Sequence, residues 1–336
     1  MERWRKIILT KRPVGMPVET DFRIDESALS APGDNEFLAR VTHLSVDPYM
    51  RGRMREAASY AQPVALGEVM TGAGVARVIE SRSARFAVGD YVTAITGWQT
   101  HFLSDGRGVR KLDPAVAPVS TALGVLGMPG LTAYFGVLDV GQAKPGETVL
   151  ISGAAGAVGS IAGQIAKVQG CRVVGAAGSD DKVQWLTGEL GFDAAFNYKT
   201  VSGYRERLAE LCPNGIDVYF DNTGGPLSDA ALAQLNLRGR IAVCGQISQY
   251  NEEKALPGPR LDFHLIIKRA RKEGFLVTDY VPRFDEGRAA LTAWLREGRL
   301  RYREQVEHGF ENTVRAFIAM MEGRNIGKML VEVSGE

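Results

Sequence analysis

Apolar and polar positions alternate with a period of two along residues 36–46 (EFLARVTHLSV) and 72–81 (GAGVARVIES), which predicts half-buried strands. Turn-forming clusters punctuate them at Ala31-Pro32-Gly33-Asp34, Asp47-Pro48 and Gly89-Asp90. The first third of the chain therefore reads as a β-rich barrel or sandwich. Further on, apolar runs at 148–153 (TVLISG), 171–177 (CRVVGAA), 216–221 (IDVYFD) and 240–245 (RIAVCG) are separated by stretches of helical periodicity. Strands spaced by helices predict right-handed crossovers and a parallel sheet covered on both faces. A helical ENTVRAFIAMMEG and a strand-like IGKMLVEV close the chain and are expected to return to the first domain. The expected division is 1–124 β-rich, 125–298 doubly wound α/β, and 299–336 as the return. Residues 251–262 (NEEKALPGPRLD), with two prolines and a glycine, are expected to be a mobile loop.

Length agrees with this division, because 336 residues exceed the roughly 250–300 at which a single core stops growing. The composition, 45% hydrophobic and 24% charged with a net charge of +1, gives no support for a nucleic-acid partner or an acidic tail. In the N-terminal MERWRKIILTKRP only Ile7, Leu9 and the residue between them form a consecutive apolar run, too short for a signal core or a membrane span. A cytoplasmic location without a membrane partner is the expectation. Cys171, Cys212 and Cys244 are widely spaced and read as reduced, mostly buried thiols.

The stretch SGAAGAVGSIAGQIAK carries the most specific chemistry. After strand 148–152 comes Ala154-x-Gly156-x-x-Gly159. A helix expected from about residue 157 follows, with Val158, Ile161, Ala162, Ile165 and Val168 on one face. Only the first glycine of a dinucleotide fingerprint is replaced, by Ala154. The two that are kept allow backbone approach to a pyrophosphate and close helix–strand packing. The helix N-terminus offers N–H groups and its dipole to the diphosphate. An NAD site wants a carboxylate about 20 residues on, at the tip of the second strand. Here the tip reads Ala177-Gly178-Ser179, with Lys182 one turn later and Tyr198-Lys199 after the next strand-like run. A hydroxyl, an ammonium and a phenol suit the 2′-phosphate of NADPH. Asp180 and Asp181 fit first-turn helix positions with Ser179 as N-cap.

Catalytic zinc needs three His, Cys or acidic ligands and an open position. Residues 1–150 hold no cysteine and only His43 and His101, and Glu68 stands where a Gly-His-Glu zinc motif would place its histidine. No metal is expected. His43, His101, His264 and His308 read as packing or surface residues.

VDPYMRGRM, GMPGLTAYFG, SGAAGAVGSIAGQIAK, VVGAAGSDDK, GFDAAFNYKT, YFDNTGG, CGQISQYN and NIGK occur in this order and cover essentially the whole chain. In them the sequence resembles the zinc-independent medium-chain dehydrogenase/reductases, within these the prostaglandin reductase and bacterial curcumin-reductase-like group. The resemblance implies a GroES-like β-rich catalytic domain plus a doubly wound Rossmann cofactor domain, often a homodimer. It also implies NADPH-dependent reduction of the C=C bond of α,β-unsaturated ketones or aldehydes. Cofactor contacts carried over by motif fall on Gly156, Ala157, Val158 and Gly159 at the diphosphate, and on Ser179, Lys182 and Tyr198 at the 2′-phosphate. Asn222, Cys244, Gly245, Ile247, Ser248 and Tyr250 lie at strand ends, Phe275, Leu276 and Val277 would flank the nicotinamide, and Asn325 comes from the C-terminal segment. Ile267 stands where some members carry a tyrosine.

Reduction of an enone develops negative charge on the carbonyl oxygen, so the site needs a donor there and a proton for the α-carbon. Tyr49 and Tyr250 are the expected donors, since a phenol donates without being charged at neutral pH. The cofactor's ribose hydroxyl would assist, with water as the final proton source. Arg51 is left open between pairing with a surface acid and steering substrate. A quinone oxidoreductase shares the fold and cofactor, and a non-catalytic NADPH-binding protein is the second alternative.

Overall fold

The computed structural model describes residues 2–57, 59–254 and 256–333. Ala255, inside the loop expected to be mobile, lies outside the described residues. Contacts divide the chain into two units, Met1–Leu123 with Glu304–Asn325 and Met329–Glu336, and Gly124–Arg303 with Ile326–Lys328.

The first unit opens with β1 (Trp4–Leu9) and β2 (Phe22–Ser27), an antiparallel pair, followed by β3 (Phe37–Ser45). A five-residue helix α1 (Tyr49–Arg53) comes next, then β4 (Ala73–Ser81), β5 (Tyr91–Ile95), β6 (His101–Ser104) and β7 (Arg110–Leu112). The alternation of β3 and β4 has its physical outcome here. Phe37, Ala39, Val41, Val75 and Ala76 are fully buried, and the two strands pair antiparallel with register shifts that keep their apolar faces inward. Asp47-Pro48 forms the expected turn, closed by Met50 N–H to Asp47 O at 3.1 Å, and the turn leads directly into α1 with Pro48 at its N-cap.

The second unit runs α2 (Met128–Phe135), β8 (Thr148–Ile151), α3 (Gly159–Val168), β9 (Arg172–Ala177), α4 (Asp180–Gly188) and β10 (Ala194–Asn197). It continues with α5 (Tyr204–Leu211), β11 (Ile216–Asp221), α6 (Gly225–Ala233), β12 (Leu235–Val243), α7 (Asp262–Lys268), β13 (Arg271–Gly274) and α8 (Phe284–Arg296). Its six strands are all parallel in the order β10-β9-β8-β11-β12-β13, a doubly wound sheet whose order reverses between β8 and β11. β12 begins five residues before the apolar run that announces it. Arg238 at φ 61° and a register shift against β11 let the polar segment join the ladder, which hydropathy alone does not show.

The chain closes with β14 (Glu304–His308), α9 (Thr313–Met321) and β15 (Lys328–Glu332). β15 pairs antiparallel with β3, so the C-terminal run completes a seven-stranded sheet of order β14-β15-β3-β4-β5-β7 with β6 also on β3. Among the described residues no helix is long and apolar enough to cross a membrane.

Candidate functional site

The glycine turn stands between β8 and α3, at the carboxyl end of the sheet where the strand order reverses. α3 starts at Gly159, two residues later than periodicity predicts, because residues 153–158 are held in turns. Gly156 N–H donates to Gly153 O at 3.0 Å, and Gly327 N–H donates to Ala155 O at 2.8 Å. Ala154 does not stand where a glycine is needed. It is fully buried and donates its N–H to Ala176 O at 2.9 Å. The left-handed conformation belongs to Gly153, at φ +57°. At Gly159 a β-carbon would come within 2.4 Å of Gly153 O, so only glycine lets the helix start this close to the turn.

β9 ends at Ala177, and Ser179 is the N-cap of α4 in extended conformation, with Asp180 and Asp181 in the first turn. Ser179 thus stands at the expected N-cap position, and its side chain makes no capping bond, so the hydroxyl is not committed to the helix. The Asp180 carboxylate accepts from Asn197 Nδ2 at 2.9 Å. Tyr198 donates its backbone N–H to Ala177 O at 3.0 Å, and its hydroxyl lies 3.0 Å from where a β-carbon on Gly178 would stand, so the phenol rests over the strand tip. Lys182 is half-buried, and burial together with the Lys199 ammonium lowers its pKa. Hydroxyl, phenol and two ammonium groups thus gather at the ends of β9 and β10.

The ends of β8 and β11 carry a network that sequence motifs did not single out. Asp221, 1% exposed, accepts from Ser152 Oγ at 3.2 Å, Tyr219 OH at 2.9 Å, Thr223 N at 3.0 Å and Gly224 N at 2.8 Å, and from Ser228 Oγ by a short bond. Asn222 donates its side-chain amide to Ser152 O at 2.7 Å and its backbone N–H to Ser152 Oγ at 2.9 Å. Cys244 and Gly245 donate their N–H groups to Asp221 O, and Ile247 donates to Asn222 O. Ser248 Oγ donates to Thr223 O at 2.6 Å. Burial, with Asp221 nearby, pushes the Cys244 thiol up to about 12, which keeps it protonated. Tyr250 folds back so that its hydroxyl accepts from Gln246 N–H at 3.3 Å.

Beyond β13, Phe275 packs edge-on against Phe220 at 6.2 Å between centroids, Leu276 is half-buried and Val277 buried. Asn325 is half-buried and precedes the 326–328 run that bonds the glycine turn. Ile267 is exposed on α7, so it supplies neither a proton nor a wall inside the unit.

In the β-rich unit Tyr49 opens α1 and is half-buried. Burial, with Asp47 and Tyr60 alongside, holds its phenol well above the ordinary range, so it stays a donor at any working pH. Tyr60 had no motif to mark it. Arg51 is not at the surface. Its side chain is fully buried and donates to Pro13 O at 3.1 Å and Gly15 O at 2.9 Å, tying the loop after β1 to α1. Among the described residues no group of three or more His, Cys, Asp or Glu side chains could hold a metal ion.

The architecture and the glycine turn define a dehydrogenase of two units with a dinucleotide-type sheet. Residues 5–112 match the family model described as the N-terminal domain of oxidoreductase, and residues 157–293 match that of zinc-binding dehydrogenase. The chain is 43% identical to the NADPH-dependent curcumin reductase of Escherichia coli K12 over 340 residues, covering 100% of this chain and 98% of that one. It is 44% identical over 337 residues to the NADP(+)-dependent 2-alkenal reductase of Nicotiana tabacum, covering 99% and 98%. The crystal structure of CurA in complex with NADPH from Vibrio vulnificus superposes with a TM-score of 0.95 at 46% identity, covering 99% of this chain and 100% of that one. The chain belongs to the medium-chain dehydrogenase/reductases, in the prostaglandin reductase and curcumin-reductase-like group, with its GroES-like and Rossmann domains.

Proposed function

We propose that this protein reduces the C=C bond of α,β-unsaturated ketones and aldehydes with NADPH, without a metal. The observation that carries the cofactor choice is the tip of β9, where no carboxylate occupies the ribose position and Ser179, Lys182, Tyr198 and Lys199 gather. Two ammonium groups that disfavour each other's charge are relieved by a dianionic phosphate, and a carboxylate there would repel it. The glycine turn fits a diphosphate. A β-carbon at Gly159 would strike Gly153 O, and the N-terminal end of the α3 dipole faces the turn.

When bound, NADPH supplies the hydride for the β-carbon. Gly156, Ala157, Val158 and Gly159 hold its diphosphate, and Ser179, Lys182 and Tyr198 hold its 2′-phosphate. Asn222, Cys244, Gly245, Ile247, Ser248 and Tyr250 border the strand-end crevice, and Phe275, Leu276, Val277 and Asn325 contribute at the nicotinamide end. Tyr49 and Tyr250 are the assigned donors to the developing enolate oxygen. Tyr49 suits this because its proton is held tightly, so it stabilises the charge by hydrogen bonding without becoming ionised. Tyr250 suits it because a phenol donates without being charged at neutral pH, and its oxygen accepts from Gln246 N–H. Asn222 acts as a brace, its amide being engaged by Ser152.

NADPH oxidation over a panel of enals, enones and quinones tests the reading. Enals and enones are expected to outrun quinones, with NADPH preferred to NADH and chelators without effect. Faster quinone turnover would move the protein to the quinone oxidoreductases, and cofactor binding without turnover on any of them would make it a non-catalytic binder. Tyr49→Phe and Tyr250→Phe should each lower turnover, and the donor assignment fails if neither does.

The working form in this proposal is a homodimer. β13 is an exposed sheet edge, and pairing it antiparallel with itself sets Lys272 opposite Glu273. On the adjacent α7, Phe263, Ile266 and Ile267 are 68%, 69% and 45% exposed at i, i+3 and i+4, while Leu265 faces the core. Light scattering should give twice the chain mass, and a monomer at micromolar concentration refutes the pairing.

A further inference from the structure

β8 is wholly buried, and the chain follows it with a hydroxyl, Ser152, that is 0% exposed and stands one residue before the left-handed Gly153. A polar side chain in such a place needs partners. Ser152 Oγ donates to Asp221 Oδ1 at 3.2 Å and accepts from Asn222 N–H at 2.9 Å, while Ser152 O accepts from Asn222 Nδ2 at 2.7 Å. The directions are fixed. A carboxylate only accepts, so the hydroxyl proton goes to Asp221 and a lone pair is left for the Asn222 N–H. Backbone and side chain of Asn222 are thereby tied to one residue.

With its amide nitrogen committed to Ser152 O, Asn222 has its side-chain orientation set, and Oδ1 is the end left over. Among the described residues nothing donates to this oxygen, and unlike the neighbouring Thr223 Oγ1 it is not fully covered by the chain. Asn222 borders the glycine turn, since its Cβ lies 3.4 Å from where a β-carbon on Gly153 would stand. Two residues earlier, Phe220 carries Phe275 edge-on at 6.2 Å. Asn222 therefore stands between the turn that fits a diphosphate and the residue assigned to the nicotinamide end.

We propose that Ser152 is a positioning residue for the cofactor, holding Asn222 so that its Oδ1 accepts from a hydroxyl of the ribose on the nicotinamide side. The proposal rests on the NADPH reading above. A ribose diol supplies the donor, and an acceptor already held from behind by two bonds has little rotamer freedom left to lose on meeting it. Asp221 takes part through Ser152, because its oxygen sets the direction of the hydroxyl.

The test is calorimetric binding of NADP+ and of adenosine 2′,5′-bisphosphate, which lacks the nicotinamide riboside, to the wild type, Ser152→Ala, Asn222→Ala and the double variant. Ser152→Ala should weaken NADP+ about fivefold and leave the fragment within about twofold. Asn222→Ala should show the same selective loss. The double variant should lose no more than Asn222→Ala alone, because both substitutions break one interaction. Should Ser152→Ala fail to fold, Asn222→Asp, which keeps the backbone bond but turns the donor to Ser152 O into an acceptor, decides by the same ratio of NADP+ to fragment. Equal weakening of both ligands overturns the proposal, as do an unchanged affinity for NADP+ and losses that add in the double variant. A wild type that binds neither ligand refutes the NADPH reading itself. One that binds both, with a ratio that Ser152→Ala does not move, refutes only the role of Ser152.

Discussion

Two polar clusters sit at the carboxyl end of the same parallel sheet and are built in opposite ways. At β8 and β11 the Asp221 carboxylate is buried and collects donors from Ser152, Tyr219, Thr223, Gly224 and Ser228, all from its own chain. At β9 and β10, Lys182 and Lys199 bring like charges together in a half-buried place beside Ser179 and Tyr198. A charge that the chain itself satisfies belongs to the scaffold. The lysines at β9 and β10 instead lie beside Asp180, whose carboxylate accepts from Asn197, and are proposed above to meet the phosphate of the cofactor.

The largest expected effect lies in the first cluster. Asp221→Ala removes the acceptor of several buried donors and should cost about 3 kcal/mol or more of stability, read from urea denaturation. A loss below about 1 kcal/mol would mean that the network is not structural, and the contrast collapses. In the second cluster Lys182→Ala should change stability little but raise KM for NADPH about tenfold. KM for NADH, which lacks the 2′-phosphate, should stay within about twofold. Equal losses for both cofactors would place Lys182 in the scaffold. Ser179→Ala should follow with a smaller rise for NADPH, about threefold, because it removes one hydrogen bond of a neutral donor. An unchanged value would restrict 2′-phosphate recognition to the lysines and Tyr198.

Fold class was legible because period-two and 3.6-residue patterns report directly which face of an element is buried. β3, β4 and β11 lie within a residue of the runs that announced them. The start of α3 was not. Gly153 and Gly159 bring backbone against backbone, and the Gly327–Ala155 bond arrives from far along the chain. The apparent defect at Ala154 has the same origin: periodicity cannot tell which residue of Gly153-Ala154-Ala155-Gly156 takes the positive φ. Motifs located the β9 tip, yet the release of Ser179 from capping depends on side-chain direction.

By itself the sequence determined the β-rich first part, the parallel sheet and the absence of a carboxylate at the end of β9, because each depends on residues close together along the chain. Only the tertiary structure decided the Asp221 network, the left-handed turn at Gly153 and the burial of Arg51 on the Pro13 and Gly15 carbonyls. Each of these depends on which distant carbonyl or carboxylate arrives within hydrogen-bond distance, and local patterning carries no information about that.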